Sequence, residues 1–600
     1  MSYRPIENYG VIGDLTTMAL IGMDGSIDFM CFPHFDSPTI FAALLDHKRG
    51  GHFKISPVAG KFKNHQRYFP NTNILLTRFL GESGIAEVSD FMAMEHLGHS
   101  HSLIRRVKAV RGEIKFRMVF APKFNYDRTR HTIERKSPYE FIFIPGGKNM
   151  PELRLRASVQ AKIENGEAVA EFKLGSEKTA EFILEAADGK SPSANPDYVS
   201  KAFKETMNFW LAWVGHSKYN GRWREMVDRS ALTLKLLTSR PHGSIVAAPT
   251  FGLPEKIGGP FNWDYRYSWI RDASFTLCAL VQLGYTEEPR AYVRWIEERC
   301  RDLKAGRPLQ IVYRMDGGRD LTERTLRNLE GYRKSSPVRI GNAASNQLQL
   351  DIYGELLNAV LIYDQHDEPI SFDFWRNIET LIEWVCKHWK KPGAGIWEER
   401  GEPKQFLYSK VMCWMALDCA IQLAHRRSFP APLVRWHRVR DKIYLDIYEN
   451  YWNPKLKSFV QYRGANTVDA SALLMPMMKF ISPADPRWKS TMQAIEEKLV
   501  EDSLVYRHNA KNATAHSRHG EQGTFSPCSF WYVECLARAG DLKQARYIFE
   551  KTLGYANHLG LYAEELSPRG EHLGNFPLGL SHTALISAAR NLDQRLSKSG

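Results

Sequence analysis

Two pairs of adjacent carboxylates stand in apolar, aromatic surroundings. One is Trp397-Glu398-Glu399-Arg400 and the other is Tyr562-Ala563-Glu564-Glu565-Leu566. Two opposed carboxyl groups are what the cleavage of a glycosidic bond requires. One stays protonated and donates to the leaving oxygen, while the other stays ionised as a nucleophile or as the base that activates water. The tryptophan beside Glu398 suits a sugar, because an aromatic face packs on C–H surface and a drier pocket keeps a carboxylic acid neutral. Adjacent glutamates taken alone are most often solvated surface charge.

A third stretch, Asn262-Trp263-Asp264-Tyr265-Arg266-Tyr267-Ser268-Trp269-Ile270-Arg271-Asp272, interleaves aromatic and charged residues just before a strongly helical segment. Arg271 offers a rigid fork of donors and Asp272 accepts two O–H bonds, a combination that grips sugar hydroxyls. The alternative is a helix-capping Asp272 with a structural arginine partner. Polar groups clustered among aromatics are a common pocket signature, which favours the sugar site.

These residues must be positioned by a chain of 600 residues, too long for one ordinary core, so two domains are expected. Tryptophan marks the division: the chain has fifteen, and none precedes Trp210. The first ~200 residues read as short strands joined by turns. Asp24-Gly25 and Asn165-Gly166 are hairpin signals between apolar runs. The pattern predicts a large antiparallel β-sandwich over 1–195, with a break at Ser191–Pro196 and a linker helix within 196–220. From 221 to 600 the apolar spacing turns to i, i+3, i+4. Helices are predicted near 224–237, 273–283, 289–303, 348–363, 409–424, 488–500, 529–539, 542–553 and 581–593. Repeated helix pairs of ~60 residues suggest six hairpins, which can close into an (α/α)6 barrel.

The formal charge of +14 comes from dispersed lysines and arginines, with no nucleic-acid motif and no basic stripe, so a nucleic-acid partner is not expected. No run approaches a membrane span, and the N-terminus has no apolar signal-peptide core. Eight scattered cysteines without a CxxC fit buried thiols in a reducing, cytoplasmic setting. His96-x-x-His99-x-His101 has metal-like spacing but reads as a solvated loop, since structural zinc sites recruit four ligands and no cysteine is near. Pro145-Gly146-Gly147-Lys148 reads as a turn rather than a phosphate cradle. His582, downstream of Glu564, has either an orienting or a structural role.

Four stretches in this order resemble glycoside hydrolase family 15, which includes glucoamylases, glucodextranases and microbial trehalases. They are Trp269-Ile270-Arg271-Asp272; Gly395-Ile396-Trp397-Glu398 with Ser409-Lys410-Val411-Met412; Gly523-Thr524-Phe525 with Cys528-Ser529-Phe530-Trp531; and Ala563-Glu564-Glu565. The opening Ile6-Glu7-Asn8-Tyr9-Gly10, with Asp24–Asp28 and Phe35-Asp36-Ser37-Pro38, is similar to bacterial members. The resemblance implies an N-terminal β-sandwich followed by a catalytic (α/α)6 barrel, inversion at the anomeric carbon, and neither a catalytic metal nor a cofactor. It implies Glu398 as general acid and Glu564 as general base. Arg271 and Asp272 would hold the terminal glucosyl unit, with Trp263, Trp397 and Glu399 also at the substrate. A register shift of one residue would hand the two roles to Glu399 and Glu565. Where family members often read Glu-Gly-Thr-Phe, this chain has Gln522, which bears on substrate preference.

The expectation is an exo-acting, inverting α-glucoside hydrolase with a small-molecule sugar substrate. Trehalose is favoured over malto- or isomalto-oligosaccharides, because a cytosolic enzyme meets the disaccharide rather than raw starch. A phosphorolytic enzyme and a non-catalytic sugar-binding protein are the rivals. Oligomeric state is not legible in the chain.

Overall fold

The computed structural model describes residues 3–58, 60–94, 101–147, 150–187, 197–301, 308–366, 369–508 and 523–599. Its N-terminal part is two eight-stranded antiparallel sheets packed face to face. The first sheet runs in the order Tyr9–Gly13, Met18–Gly22, Ser26–Cys31, His52–Pro57, Ile114–Ala121, Glu167–Leu174, Lys162–Glu164, with Thr39–Phe41 beside Ser26–Cys31. The second runs His131–Ser137, Glu140–Pro145, Leu153–Ala157, Thr179–Ala186, Leu103–Gly112, Gly84–Met92, Leu75–Gly81, Phe62–Tyr68. The expected Asp-Gly and Asn-Gly hairpins both form. Asn165 and Gly166 take φ of 52° and 80°, the left-handed pair of a type I′ turn. Phenylalanines fill the space between the sheets: Phe120 meets Phe53 of its own sheet at 5.2 Å and Phe143 of the opposite sheet at 4.8 Å between ring centroids.

The helix Tyr198–Val214 covers the outer face of the second sheet, seating Tyr198, Val199 and Ala202 on Ile74, Phe91, Ile104 and Ile183. That explains why Leu103 and Ile104, neighbours on one strand, are both buried. The Ser191–Pro196 break lies outside the described residues.

Beyond it the helices form two concentric rings. The inner ring is Ile270–Leu283, Asp351–His366, Leu407–Arg427, the short turns Ala470–Leu473 and Leu474–Met477, Ser526–Ala539 and Gly579–Ser599. Gly579–Ser599 packs on Ile270–Leu283 and so closes the circle. The outer ring is Arg224–Leu236, Glu287–Arg301, Phe372–His388, Leu433–Asn450, Pro486–Leu499 and Leu542–Leu553. This is the expected double ring. Two of its outer helices, Phe372–His388 and Leu433–Asn450, are additions to the helices the periodicity marked. The second buries only Trp436, Ile443 and Ile447, a stripe too narrow to stand out.

The sandwich packs on the barrel through specific bonds. Asn557 Nδ2 donates to the carbonyls of Glu7 and Tyr9 at 3.1 and 2.9 Å. Arg266 Nη1 donates to Ser37 O at 2.8 Å, and its guanidinium lies 4.3 Å over Phe251. Arg229 lies 4.1 Å over the Tyr68 ring and donates to Thr72 O. No described helix is long and apolar enough to cross a membrane. All eight cysteines are free thiols, six of them buried.

Candidate active site

Each inner helix is preceded by a segment that delivers side chains to one end of the barrel. Tyr265 and Trp269 precede Ile270–Leu283, and Arg271 and Asp272 lie in its first turn. Gln347 and Gln349 precede Asp351–His366, and Trp397, Glu398 and Glu399 precede Leu407–Arg427. Asp469 caps the Ala470 turn, Phe525 caps Ser526–Ala539, and Glu564 precedes Gly579–Ser599. The positive ends of the inner helices therefore gather where the carboxylates gather, which favours negative charge there.

A cavity of about 650 Å³ opens at this end. Glu398, Glu564, Arg271, Asp272, Trp263, Trp397 and Glu399, scattered over 302 positions of sequence, all line it. Glu398 is held in an unusual backbone state. Its φ is +58°, left-handed for a residue with a side chain, in a turn opened by Gly395 at φ +71°. Trp269 Nε1 donates to Glu398 Oε1 at 2.7 Å and Arg271 Nη2 to the same oxygen at 3.2 Å. Among the described residues Oε2 takes no hydrogen bond from protein, which leaves that oxygen for a ligand.

Glu564 is almost sealed from bulk water. Its Oε1 accepts from Tyr265 Oη at 2.7 Å and from Arg507 Nη2 at 3.1 Å, and its Oε2 from the Asn575 N–H at 3.1 Å. Gly574 must be a glycine here: φ is +71°, and a Cβ would stand 2.5 Å from Glu564 Oε2. Burial pushes the Glu564 carboxyl above its ordinary value, and Arg507 pulls it back. Its neighbour Glu565 points the other way. It accepts from Arg507 and from the Gly523 N–H, and it does not line the cavity. Glu564 thus faces the cavity and Glu565 backs it, whereas Glu398 and Glu399 both line it.

Glu399 accepts from Gln461 Nε2 at 3.2 Å, and burial raises its pKa. Arg400 turns away from Glu398 altogether. Its guanidinium pairs with Glu323 at 2.6 Å and lies 4.0 Å over the Trp263 ring, which Arg339 also approaches at 4.8 Å. Asp272 is not a helix cap; Trp269 holds that position, with no side-chain cap. Asp272 Oδ2 lies 3.4 Å from Arg271 Nε, and burial lifts its pKa to about 6. Trp397 donates to Asp469 Oδ2 at 2.8 Å and packs edge-on to Phe525.

The sequence reading passed over Tyr265, Arg507, Glu255 and the Gln347–Gln349 pair. Tyr265 lay within a quoted stretch, but nothing in its type separated it from Tyr267. Arg507 sits in Tyr506-Arg507-His508, a segment without local pattern. His582 has a structural part: it is buried and accepts the Tyr562 N–H at 3.4 Å, and burial lowers its pKa to about 3. His101 pairs with Asp14 at 2.7 Å, while His96, His99, Lys148 and Gln522 lie outside the described residues. Among the described residues no group of three or more His, Cys, Asp or Glu side chains could hold a metal.

The family described as glycosyl hydrolases family 15 matches residues 221–590, and a trehalase-like N-terminal family matches residues 2–200. The chain belongs to glycoside hydrolase family 15. This glycoside hydrolase is 37% identical to a protein named trehalase from Mycolicibacterium smegmatis, over 98% of its own length and 91% of the relative's. It is also 37% identical to a trehalase of Thermoplasma acidophilum, over 96% and 99%. Its fold matches the crystal structure of a bacterial glucoamylase complexed with acarbose. The TM-score is 0.72 over 100% of this chain and 96% of the other, at 13% identity.

Proposed function

We propose that this glycoside hydrolase acts on trehalose, as an exo-acting, inverting enzyme with Glu398 as general acid and Glu564 as general base. The observation that carries the substrate is the full-length identity to proteins named trehalase, which runs through both sandwich and barrel. The roles are supported by the contrast between the two carboxyl groups. Glu398 has both its donors on Oε1, so Oε2 can carry a proton toward a glycosidic oxygen. Glu564 is held by donors on both oxygens, which favours the ionised form a base needs.

In this reading one glucosyl unit sits against Arg271 and Asp272. Glu398 gives its proton to the bridging oxygen as the C–O bond breaks. Glu564 takes a proton from a water that attacks the anomeric carbon from the opposite face. The attacked unit leaves as β-glucose and the other as α-glucose. NMR of the anomers early in the hydrolysis of trehalose, maltose and isomaltose tests this. Equal α and β signals from trehalose alone are expected. Turnover of maltose or isomaltose instead would overturn the substrate, and α-glucose alone from trehalose would overturn inversion.

A further inference from the structure

Glu323 stands behind one wall of the cavity without lining it, and it ties that wall together. Its Oε1 accepts from Arg400 Nη1 at 3.2 Å and its Oε2 from Arg400 Nη2 at 2.6 Å, a two-pronged contact that fixes the plane of the guanidinium. Oε2 also accepts the Ala343 N–H at 3.2 Å. Arg339 Nε stands 3.3 Å from Oε1, and its Nη1 donates to Pro260 O at 2.6 Å. Both guanidiniums lie over the Trp263 ring, Arg400 at 4.0 Å and Arg339 at 4.8 Å, where the negative face of the indole attracts them. The N–H of that indole donates to Glu255 Oε1 at 3.1 Å. Two like charges over one ring repel each other, and Glu323 is the carboxylate that both reach. Burial lifts its carboxyl, but the Arg400 hydrogen bond, the Ala343 N–H and the two guanidiniums outweigh that and hold it below its ordinary value. Without this charge Arg400, the more exposed of the two arginines, is free to turn to water, while Arg339 keeps its bond to Pro260.

We propose that Glu323 is a positioning residue for the second sugar of the substrate: by holding Arg400, with Arg339, over Trp263 it fixes the wall on which the leaving unit packs. This rests on the placement of the terminal unit at Arg271 and Asp272 and of Glu398 at the bridging oxygen, but not on trehalose as the substrate. Side-chain exposure rises from 10% and 11% at Arg271 and Asp272 to 19% at Glu398 and 42% at Arg400, so the wall stands on the mouth side of Glu398. A disaccharide with its terminal unit at the deep end extends its other unit that way, where Trp263 and Arg400 line the cavity. An indole face suits the C–H surface of that unit. Glu323 is itself anchored from outside the barrel. It precedes Arg324–Thr325, which pairs with Arg339–Ile340. The connection that carries it is pinned to the sandwich by Asn328 Nδ2 on Tyr126 O at 2.6 Å and by Tyr332 Oη on Arg4 O at 2.7 Å. It is pinned to the strand of Trp263 by the Gly341 N–H on Asp264 Oδ2 at 3.1 Å.

The test compares kcat/KM for a disaccharide with kcat/KM for α-glucosyl fluoride, which brings a glucosyl unit without a second sugar. The disaccharide is whichever of trehalose, maltose and isomaltose the wild type cleaves, so a failure of the trehalose reading shows in that choice and not in the comparison. Glu323→Gln keeps an acceptor for the Ala343 N–H and removes the charge. Its disaccharide-to-fluoride ratio is expected to fall about 2–30-fold, the range for loss of cation–π contacts. An unchanged ratio would overturn the proposal, whether both rates hold or both fall together, since a merely structural role slows both alike. Arg400→Ala tests the same wall at an exposed side chain, independently of how Glu323→Gln folds. Its ratio is expected to fall as well, and an unchanged ratio there would overturn the proposal too. Glu323→Gln added to Arg400→Ala is expected to lower the ratio less than it does in the wild type. An equal further loss would show that Glu323 does not act through Arg400, against the proposal.

Discussion

Tyr265 links the two facing carboxylates. Its hydroxyl donates to Glu564 Oε1 at 2.7 Å, and its ring stands edge-on to Trp269 at 5.4 Å, whose indole N–H holds Glu398 Oε1 at 2.7 Å. Glu564 and Glu398 are 166 positions apart in the chain, yet one aromatic pair fixes both. Tyr265→Phe keeps the ring and removes only the hydroxyl. Its expected effect is a fall in kcat of about 10–150-fold, the range for losing one hydrogen bond to a charged, buried group. KM is expected to change less, because the bond orients the proposed base rather than binding sugar. Steady-state kinetics with both parameters resolved checks this. An unchanged kcat would mean that Arg507 and Asn575 suffice to orient Glu564.

The roles proposed for Glu398 and Glu564 separate when the leaving group no longer needs a proton. Glu398→Gln and Glu564→Gln are each expected to lose about 10²–10⁴-fold with the natural glycosidic substrate. With α-glucosyl fluoride, whose fluoride departs without full protonation, Glu398→Gln is expected to regain much of its rate. Glu564→Gln is expected to stay slow, since water must still be activated. Measured rates on the two substrates give the comparison. Equal recovery of both variants would reverse or remove the assignment.

The sandwich reaches the segment that carries Glu564. Asn557 sits seven residues before Glu564, and its Nδ2 ties that segment to Glu7 and Tyr9. Its Oδ1 accepts from the Leu559 and Leu561 N–H groups at 2.9 and 3.0 Å. Asn557→Ala strips four bonds at a buried seam. It is expected to cost about 2–4 kcal/mol, because unsatisfied backbone groups remain behind. Thermal unfolding followed beside activity tests this: a variant with wild-type stability would show that the seam is held elsewhere, for example by Arg266 on Ser37.

Much of this arrangement was legible in the chain because chemistry and periodicity leave local marks. Glu398 and Glu564 each sit in an aromatic, apolar setting, and Asp24-Gly25 and Asn165-Gly166 announce their turns. The missed parts have nonlocal causes. Arg507 matters because three glutamates from two other loops converge on it. Glu255 stands in an unremarked Pro-Glu-Lys turn and meets Arg507 only when the hairpin folds. Helix Leu433–Asn450 escaped because an outer helix exposed on most of its surface needs little apolar periodicity.

His582 gives a stability prediction with a defined sign. It is fully buried, its Nδ1 meets Ser230 Oγ at 3.0 Å, and its Nε2 accepts the Tyr562 N–H, two residues from Glu564. Burial lowers its pKa from 6.5 to about 3, with Arg229 adding to the effect. The folded state therefore resists a proton that the unfolded chain accepts. The stability from neutral His582 is fully present above about pH 6.5 and is lost as pH falls toward 3, at up to about 1.4 kcal/mol per pH unit. His582→Gln keeps an acceptor for the Tyr562 N–H and cannot titrate. The wild type is expected to exceed this variant in stability at pH 7, with the gap narrowing steadily between pH 6 and pH 4. Denaturant unfolding of both proteins across that range measures it. A gap independent of pH would mean that the folded protein accommodates the imidazolium, against the lowered pKa that burial imposes.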